Sequence, residues 1–259
     1  MFEPNIVEKK PSYLVAYKPP RMHSVFLKKQ SGREDREDTL LDWCSRLYPE
    51  VSEVIGRNPW EGGILHRLDY ETEGLVLFAR TQKAMDSFLV QQKEGRFSKI
   101  YGAFSAGTME TLPGYPPRPR IYPPQKTYPR IVESGFRPYG PGRKTVRPVV
   151  HPGVPPEKRY RTGILAVENV KGFWVFAVRI QRGFRHQIRC HLAWLGFPLV
   201  NDPLYGGAVM KAHKPLYGGG GLPPDQPFLA LRSQGLSFRD PVSGESREYV
   251  LPPLIPPAF

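Results

Sequence analysis

The sequence predicts a mixed α/β fold, and two observations predict it. Short runs rich in valine, isoleucine and aromatic residues alternate with segments whose apolar residues recur at helical spacing. Proline, glycine and asparagine punctuate the first kind, and a threonine cap or a closing glycine bounds the second. At 259 residues, 40% of them apolar, the chain is long enough to bury a real core.

Taken in order, residues 13–17 (YLVAY) form a strand that must end at Lys18-Pro19-Pro20, because proline cannot donate to a ladder. Residues 28–38 (KKQSGREDRED) carry dense charge without apolar periodicity and read as a surface loop. Thr39 then caps a helix over residues 40–48. His66-Arg67-Leu68-Asp69-Tyr70-Glu71-Thr72-Glu73-Gly74 places acids in a turn directly ahead of the apolar strand at residues 75–78. A carboxylate in that position is held by a rigid element yet can reach a bound molecule; capping its own turn is the alternative.

Thr81 caps a second helix through residue 94, with Ala84, Met85, Phe88 and Leu89 on one face and Gly95 as its stop. Strands follow at residues 100–105, 161–167 and 173–181, the last two joined by a turn at residues 169–172. Between them, residues 108–160 hold 13 of the 30 prolines and 10 Lys or Arg against 3 Glu. That composition predicts an extended, irregular insertion of polyproline character. It serves either as a basic loop or as an arm along a phosphate backbone, with Tyr115, Tyr122, Tyr128, Phe136 and Tyr139 available for stacking.

Residues 181–196 (QRGFRHQIRCHLAWLG) read as a loop and then a helix, with Ile188, Leu192 and Leu195 as the buried stripe. Arg185 and Arg189 lie one turn apart along its edge, where an arginine either is solvated or reaches a partly buried carboxylate. His186 and His191, five apart, make a poor metal pair and are expected to hydrogen-bond and pack. Asp202, ahead of Pro203, is a further acid, though an aspartate before proline most often organises its own turn.

The 37 Lys and Arg against 24 Asp and Glu give a net charge of +13, which points to a polyanionic partner, nucleic acid above all. Two distant cysteines, Cys44 and Cys190, suggest neither a disulfide framework nor a zinc site and suit a reducing cytoplasm. No export leader or membrane-spanning run is expected. Neither the glycines at 135–142 nor those at 218–221 form a phosphate-binding loop, and no serine elbow or Cys/His pair is present, so ATP chemistry and acyl transfer have no support.

Three blocks in this order resemble the RluA family of RNA pseudouridine synthases. They are His66-Arg67-Leu68-Asp69-x-x-Thr72-x-Gly74-Leu75, then Lys99-x-Tyr101-x-x-Phe104-x-x-Gly107, and finally His186-Gln187-Ile188-Arg189 with Gly196-x-Pro198 and Asp202-x-x-Tyr205-Gly206. The run from Leu14 to Pro19 is similar to the family's opening strand. Glu73 stands where the family has serine, Arg182-Gly183-Phe184-Arg185 replaces Thr-Gly-Arg-Thr, and Arg232 stands where histidine is common.

The resemblance implies a pseudouridine synthase fold: a largely antiparallel central sheet with flanking helices and a catalytic cleft. It implies one catalytic domain over residues 1–259, with the proline-rich basic insertion at about 108–160. Nothing before Tyr13 is long enough for a separate RNA-binding domain, so target choice is expected to lie in the catalytic domain, its insertion or a partner. The implied catalytic residues are Asp69, Tyr101 and Arg189; the implied RNA contacts are His66, Arg67, Lys18, Arg182, Arg185 and His186.

On this reading a uridine in ribosomal or transfer RNA is isomerised by a cytoplasmic monomer without metal or nucleotide cofactor. Asp69 attacks C1′ or removes the 2′ proton, Arg189 favours its charged form, and Tyr101 stacks on the base and assists loss of the C5 proton. Arg67 fills the space left by the extruded base. A non-catalytic RNA-binding protein on the same fold is the main alternative. A glycoside hydrolase pairing Asp69 with Glu71 or Glu73 ranks below both, since positive charge does nothing for neutral sugars.

Overall fold

The computed structural model describes residues 3–26, 38–107, 109–119, 130–208 and 228–256. The charged run up to residue 37, Tyr122, Tyr128 and the glycines at 218–221 lie outside the described residues. In chain order the strands and helices are β1 (Asn5–Lys9), β2 (Tyr13–Lys18), α1 (Leu40–Leu47), α2 (Glu50–Glu53), β3 (Glu73–Ala79), α3 (Gln82–Lys93), β4 (Ser98–Ser105), β5 (Arg130–Tyr139), β6 (Thr145–Val149), β7 (Tyr160–Val170), β8 (Phe173–Ile180), α4 (Gln187–Trp194), β9 (Leu231–Arg239) and β10 (Ser246–Val250). The fold is thus mixed α/β and rich in antiparallel strands, as expected. None of the described helices is long and apolar enough to cross a membrane.

Two compact units divide the chain. Among the described residues, the first comprises those within 3–97 and 233–252; the second comprises those within 98–208, 228–232 and 253–256. In the first unit β2 runs antiparallel between β1 and β3, and β10 runs antiparallel to β9. Both β2 and β3 are buried along their whole length, so their continuous apolar runs belong to a two-sided core. Tyr13 anchors that core, its ring edge-on to Phe238 at 5.3 Å and to Phe88 at 6.0 Å.

Thr81 caps α3 as predicted, its hydroxyl accepting from the Ala84 amide at 3.2 Å. The apolar face buries Ala84, Met85 and Phe88, and Gln91 joins it for a polar reason. Its side-chain amide donates to the Arg239 carbonyl at 2.8 Å and accepts from the Arg239 amide at 2.7 Å, tying α3 to the end of β9. Thr39 and Asp42 form a full capping box on α1.

In the second unit β8 pairs antiparallel with β4 and β7, and β5 pairs with β7 and then β6. Here the expected irregular insertion departs from the structure, because residues 130–149 form two strands. Val132, Phe136, Val146 and their neighbours supply enough β-forming side chains once they can lean on β7. The prolines are accommodated by a change of partner at Gly135. Residues 130–134 pair with β7 and residues 135–139 with β6, so Pro138 and Pro148 occupy strand segments that are hydrogen-bonded on one side only.

Candidate active site

The acid loop is assembled within the first unit by groups on either side of Asp69. The Ser24 hydroxyl donates to the Leu68 carbonyl and accepts from the Leu68 amide, both at 3.0 Å. On the other side the Tyr70 carbonyl receives the Arg21 amide at 2.7 Å and the Lys18 ammonium at 3.2 Å. Thr72 closes the turn by donating its amide to the Asp69 carbonyl at 3.1 Å. Asp69 itself is half-buried, and the backbone before and after it is fixed.

Lys18 is wholly buried at the end of β2, opposite Gly74 in the register. Its ammonium also donates to the Pro19 and Met22 carbonyls, each at 2.8 Å. From there it braces the loop. Burial pulls its pKa down to about 7, against the opposing influence of Asp69, Glu73 and Glu71. Glu73 is buried as well and accepts a hydrogen bond from the Tyr17 hydroxyl.

Gly74 is required where it stands. Its φ is +121°, and an added Cβ would lie 2.3 Å from the Ser233 carbonyl oxygen. His66 turns inward, accepting from the Leu77 amide at 3.4 Å with its ring 5.6 Å from that of Phe97. Arg67 turns outward and is held by Glu61, whose carboxylate lies 2.7 Å from its guanidinium.

The second unit, taken by itself, holds the arginine block. Arg189 does not lie at a solvated edge; the whole of α4 is buried and the Arg189 side chain is 0% exposed. Its Nε and Nη2 donate to the two carboxylate oxygens of Asp202, each at 2.8 Å, a bidentate pair. Asp202 also accepts from the Leu204 and Tyr205 amides at 3.0 and 3.2 Å, organising its own turn as predicted. The Tyr205 ring lies 5.5 Å under the guanidinium, and its hydroxyl meets His186 Nδ1 at 3.2 Å. Tyr101 sits buried in β4, opposite Val178 of β8.

His191 is also fully buried, between the Thr162 hydroxyl at 2.8 Å and the Ser134 hydroxyl at 2.9 Å. Burial alone pulls its pKa from 6.5 to about 3. The unfolded chain therefore takes up this proton first as pH falls, so stability is lost between pH 6.5 and about 3. The expected slope from this group is about 1.4 kcal/mol per pH unit. Urea unfolding of wild type and His191→Gln from pH 6.5 to 4.5 checks it, and equal slopes would refute it.

Arg182 and Arg185 are exposed. Arg182 lies over the Tyr160 ring at 4.6 Å, and Arg185 donates to the Arg143 carbonyl at 2.7 Å, which docks the loop after β8 onto the β5–β6 turn. Of the aromatic residues proposed for base stacking, Tyr115 and Tyr139 enclose Arg147 at 4.6 and 4.4 Å, and Phe136 is stacked on Phe184 at 4.9 Å. Those rings are engaged in packing the unit itself.

Sequence reasoning missed Ser24 and Glu61 altogether and gave Asp202 only half of its role. Their signals were weak: a serine far upstream, a glutamate on a turn, and an aspartate thirteen residues beyond its arginine. No local pattern links such partners, because each pairing is made by the tertiary fold.

A family model described as RNA pseudouridylate synthase matches residues 12–194. An uncharacterized RNA pseudouridine synthase of Chloroflexus aurantiacus is 33% identical over 181 residues, covering 68% of this chain and 48% of that protein. The ribosomal large subunit pseudouridine synthase D of Haemophilus ducreyi is 28% identical over 212 residues, covering 80% of this chain and 55% of that protein. The chain thus spans about half the length of these relatives. Among solved structures, human RNA pseudouridylate synthase domain containing 1 superposes with a TM-score of 0.59 at 23% identity, over 96% of this chain and 83% of that one, a likeness of fold.

Proposed function

We propose a function from one premise: this chain belongs to the RNA pseudouridylate synthase family. It isomerises uridine to pseudouridine in structured RNA, ribosomal or transfer. The observation that carries this reading is the acid loop: an aspartate in the family's motif, half-buried, on a backbone pinned before and behind it.

Asp69 is assigned as the nucleophile or base. Either it attacks C1′ of the ribose as the N1–C1′ bond breaks and is displaced when C5 bonds to C1′, or it removes the 2′ proton as that bond breaks and returns it when C5 bonds to C1′; in both the uracil turns between the two steps and the C5 proton then leaves. Tyr101 is assigned to the base and to the departing proton, and Arg189 to the charge that develops. Asp202 fixes the Arg189 guanidinium by two of its three nitrogens. The buried Lys18 suits a positioning role better than direct phosphate contact, whereas the exposed Arg67, Arg182 and Arg185 suit RNA. The reaction conserves mass and needs neither metal nor nucleotide, and the protein acts as a monomer in the cytoplasm.

Incubation of the chain with unmodified transcripts carrying C5-tritiated uridine tests the proposal. Tritium is expected in the water while RNA mass stays constant. Binding without release identifies a non-catalytic RNA-binding protein, and release of free base or sugar identifies a hydrolase; either outcome overturns the synthase reading.

A further inference from the structure

The first unit carries an exposed tryptophan on a turn that is otherwise locked. Trp60 is 45% exposed. Its turn is fixed by the Glu61 amide to the Asn58 carbonyl at 3.0 Å, by the Gly63 amide to the Val51 carbonyl at 2.7 Å, and by the Ala79 amide of β3 to the Gly63 carbonyl at 2.7 Å. The approach is so close that a Cβ at Gly63 would stand 2.0 Å from the Ala79 oxygen. A large apolar ring held in water by so rigid a turn serves no purpose in the core.

The next residue, Glu61, points the other way. Its side chain is 7% exposed, and its carboxylate meets the Arg67 guanidinium at 2.7 Å, while the Arg67 side chain is 45% exposed. If Arg67 swung away, the carboxylate would be left buried without its cation, which is strongly unfavourable. The pair therefore stays made. The guanidinium is presented to solvent from a fixed post, two residues before Asp69, and has little rotamer freedom left to lose on binding.

We propose that this turn is an RNA-contact element, in which Trp60 offers an aromatic face to an unpaired base and Glu61 is a positioning residue that fixes the orientation of Arg67. An indole face and a guanidinium plane are both surfaces on which unpaired bases stack, and the net charge of +13 favours a polyanion over a protein partner. The inference rests on the reading of the chain as an RNA-acting protein, but its test does not use the reaction.

The probe is a stem-loop transcript with unmodified uridines in its loop, its Kd measured at one salt concentration by fluorescence anisotropy. Trp60→Leu and Glu61→Gln are each expected to raise Kd about tenfold, within the range for one lost stacked base. In an Arg67→Ala background, Glu61→Gln is expected to add less than about twofold, since Glu61 acts through Arg67. RNA is also expected to quench wild-type tryptophan fluorescence more than that of Trp60→Leu. Should Glu61→Gln unfold, Glu61→Asp replaces it, keeping the charge but withdrawing it from Arg67, with a Kd between the two. Unchanged Kd in the Trp60 or Glu61 variant overturns the proposal, as does a full Glu61 effect in the absence of Arg67. Intact binding without tritium release would instead count against the synthase reading alone.

Discussion

Asp69→Asn is expected to reduce tritium release from C5-labelled RNA by at least about a thousandfold while the protein still folds and binds RNA. The substitution keeps the shape of the side chain and removes the charge that either route requires. The hydrogen bonds that fix the loop run to the backbone of Leu68 and Tyr70, so they survive the change. Circular dichroism and RNA binding monitor the fold, and single-turnover tritium release monitors the chemistry. A variant that releases tritium at the wild-type rate would remove Asp69 from the mechanism.

Asp202→Ala is expected to lower the stability of the protein by about 3–5 kcal/mol. Both members of the pair with Arg189 are 0% exposed, so removal of the carboxylate takes from a buried guanidinium the acceptor of two of its hydrogen bonds. It also takes an acceptor from the Leu204 and Tyr205 amides. Arg189→Met should cost a similar amount for the mirror-image reason. Replacing both residues with apolar ones should cost less than the sum, because neither member of the pair is then left buried without the other. Urea unfolding of the two single variants and the double variant measures this. Single losses below about 1 kcal/mol would show that the pair contributes nothing to the fold.

The elements legible in the sequence were those with a local signature. Thr39 and Thr81 cap helices where their pattern placed them, and the buried runs of β2 and β3 stand out by composition alone. Residues 130–149 were misjudged because proline content argues against a strand only when both edges of that strand are paired. Which edges are paired is decided by β7, far along the chain. For Arg189 the sequence left two outcomes open, solvation or a buried carboxylate, and the second holds: α4 is buried throughout, with Asp202 and the hydroxyls of Ser134 and Thr162 satisfying its polar groups. The candidate acid was legible by motif. What holds its loop was not, since a serine hydroxyl and a buried ammonium leave no periodic trace.

The double use of Ser24 and the burial of Lys18 bear on recognition as well as on architecture. A catalytic loop that orders only around its substrate draws part of the binding free energy to do so, and its affinity is weakened accordingly. Here Leu68 and Tyr70 are already anchored by a hydroxyl and an ammonium from the same compact unit. On the proposed function, contacts with RNA would therefore be free to act on the RNA itself, where pulling a uridine out of its stack is the costly step.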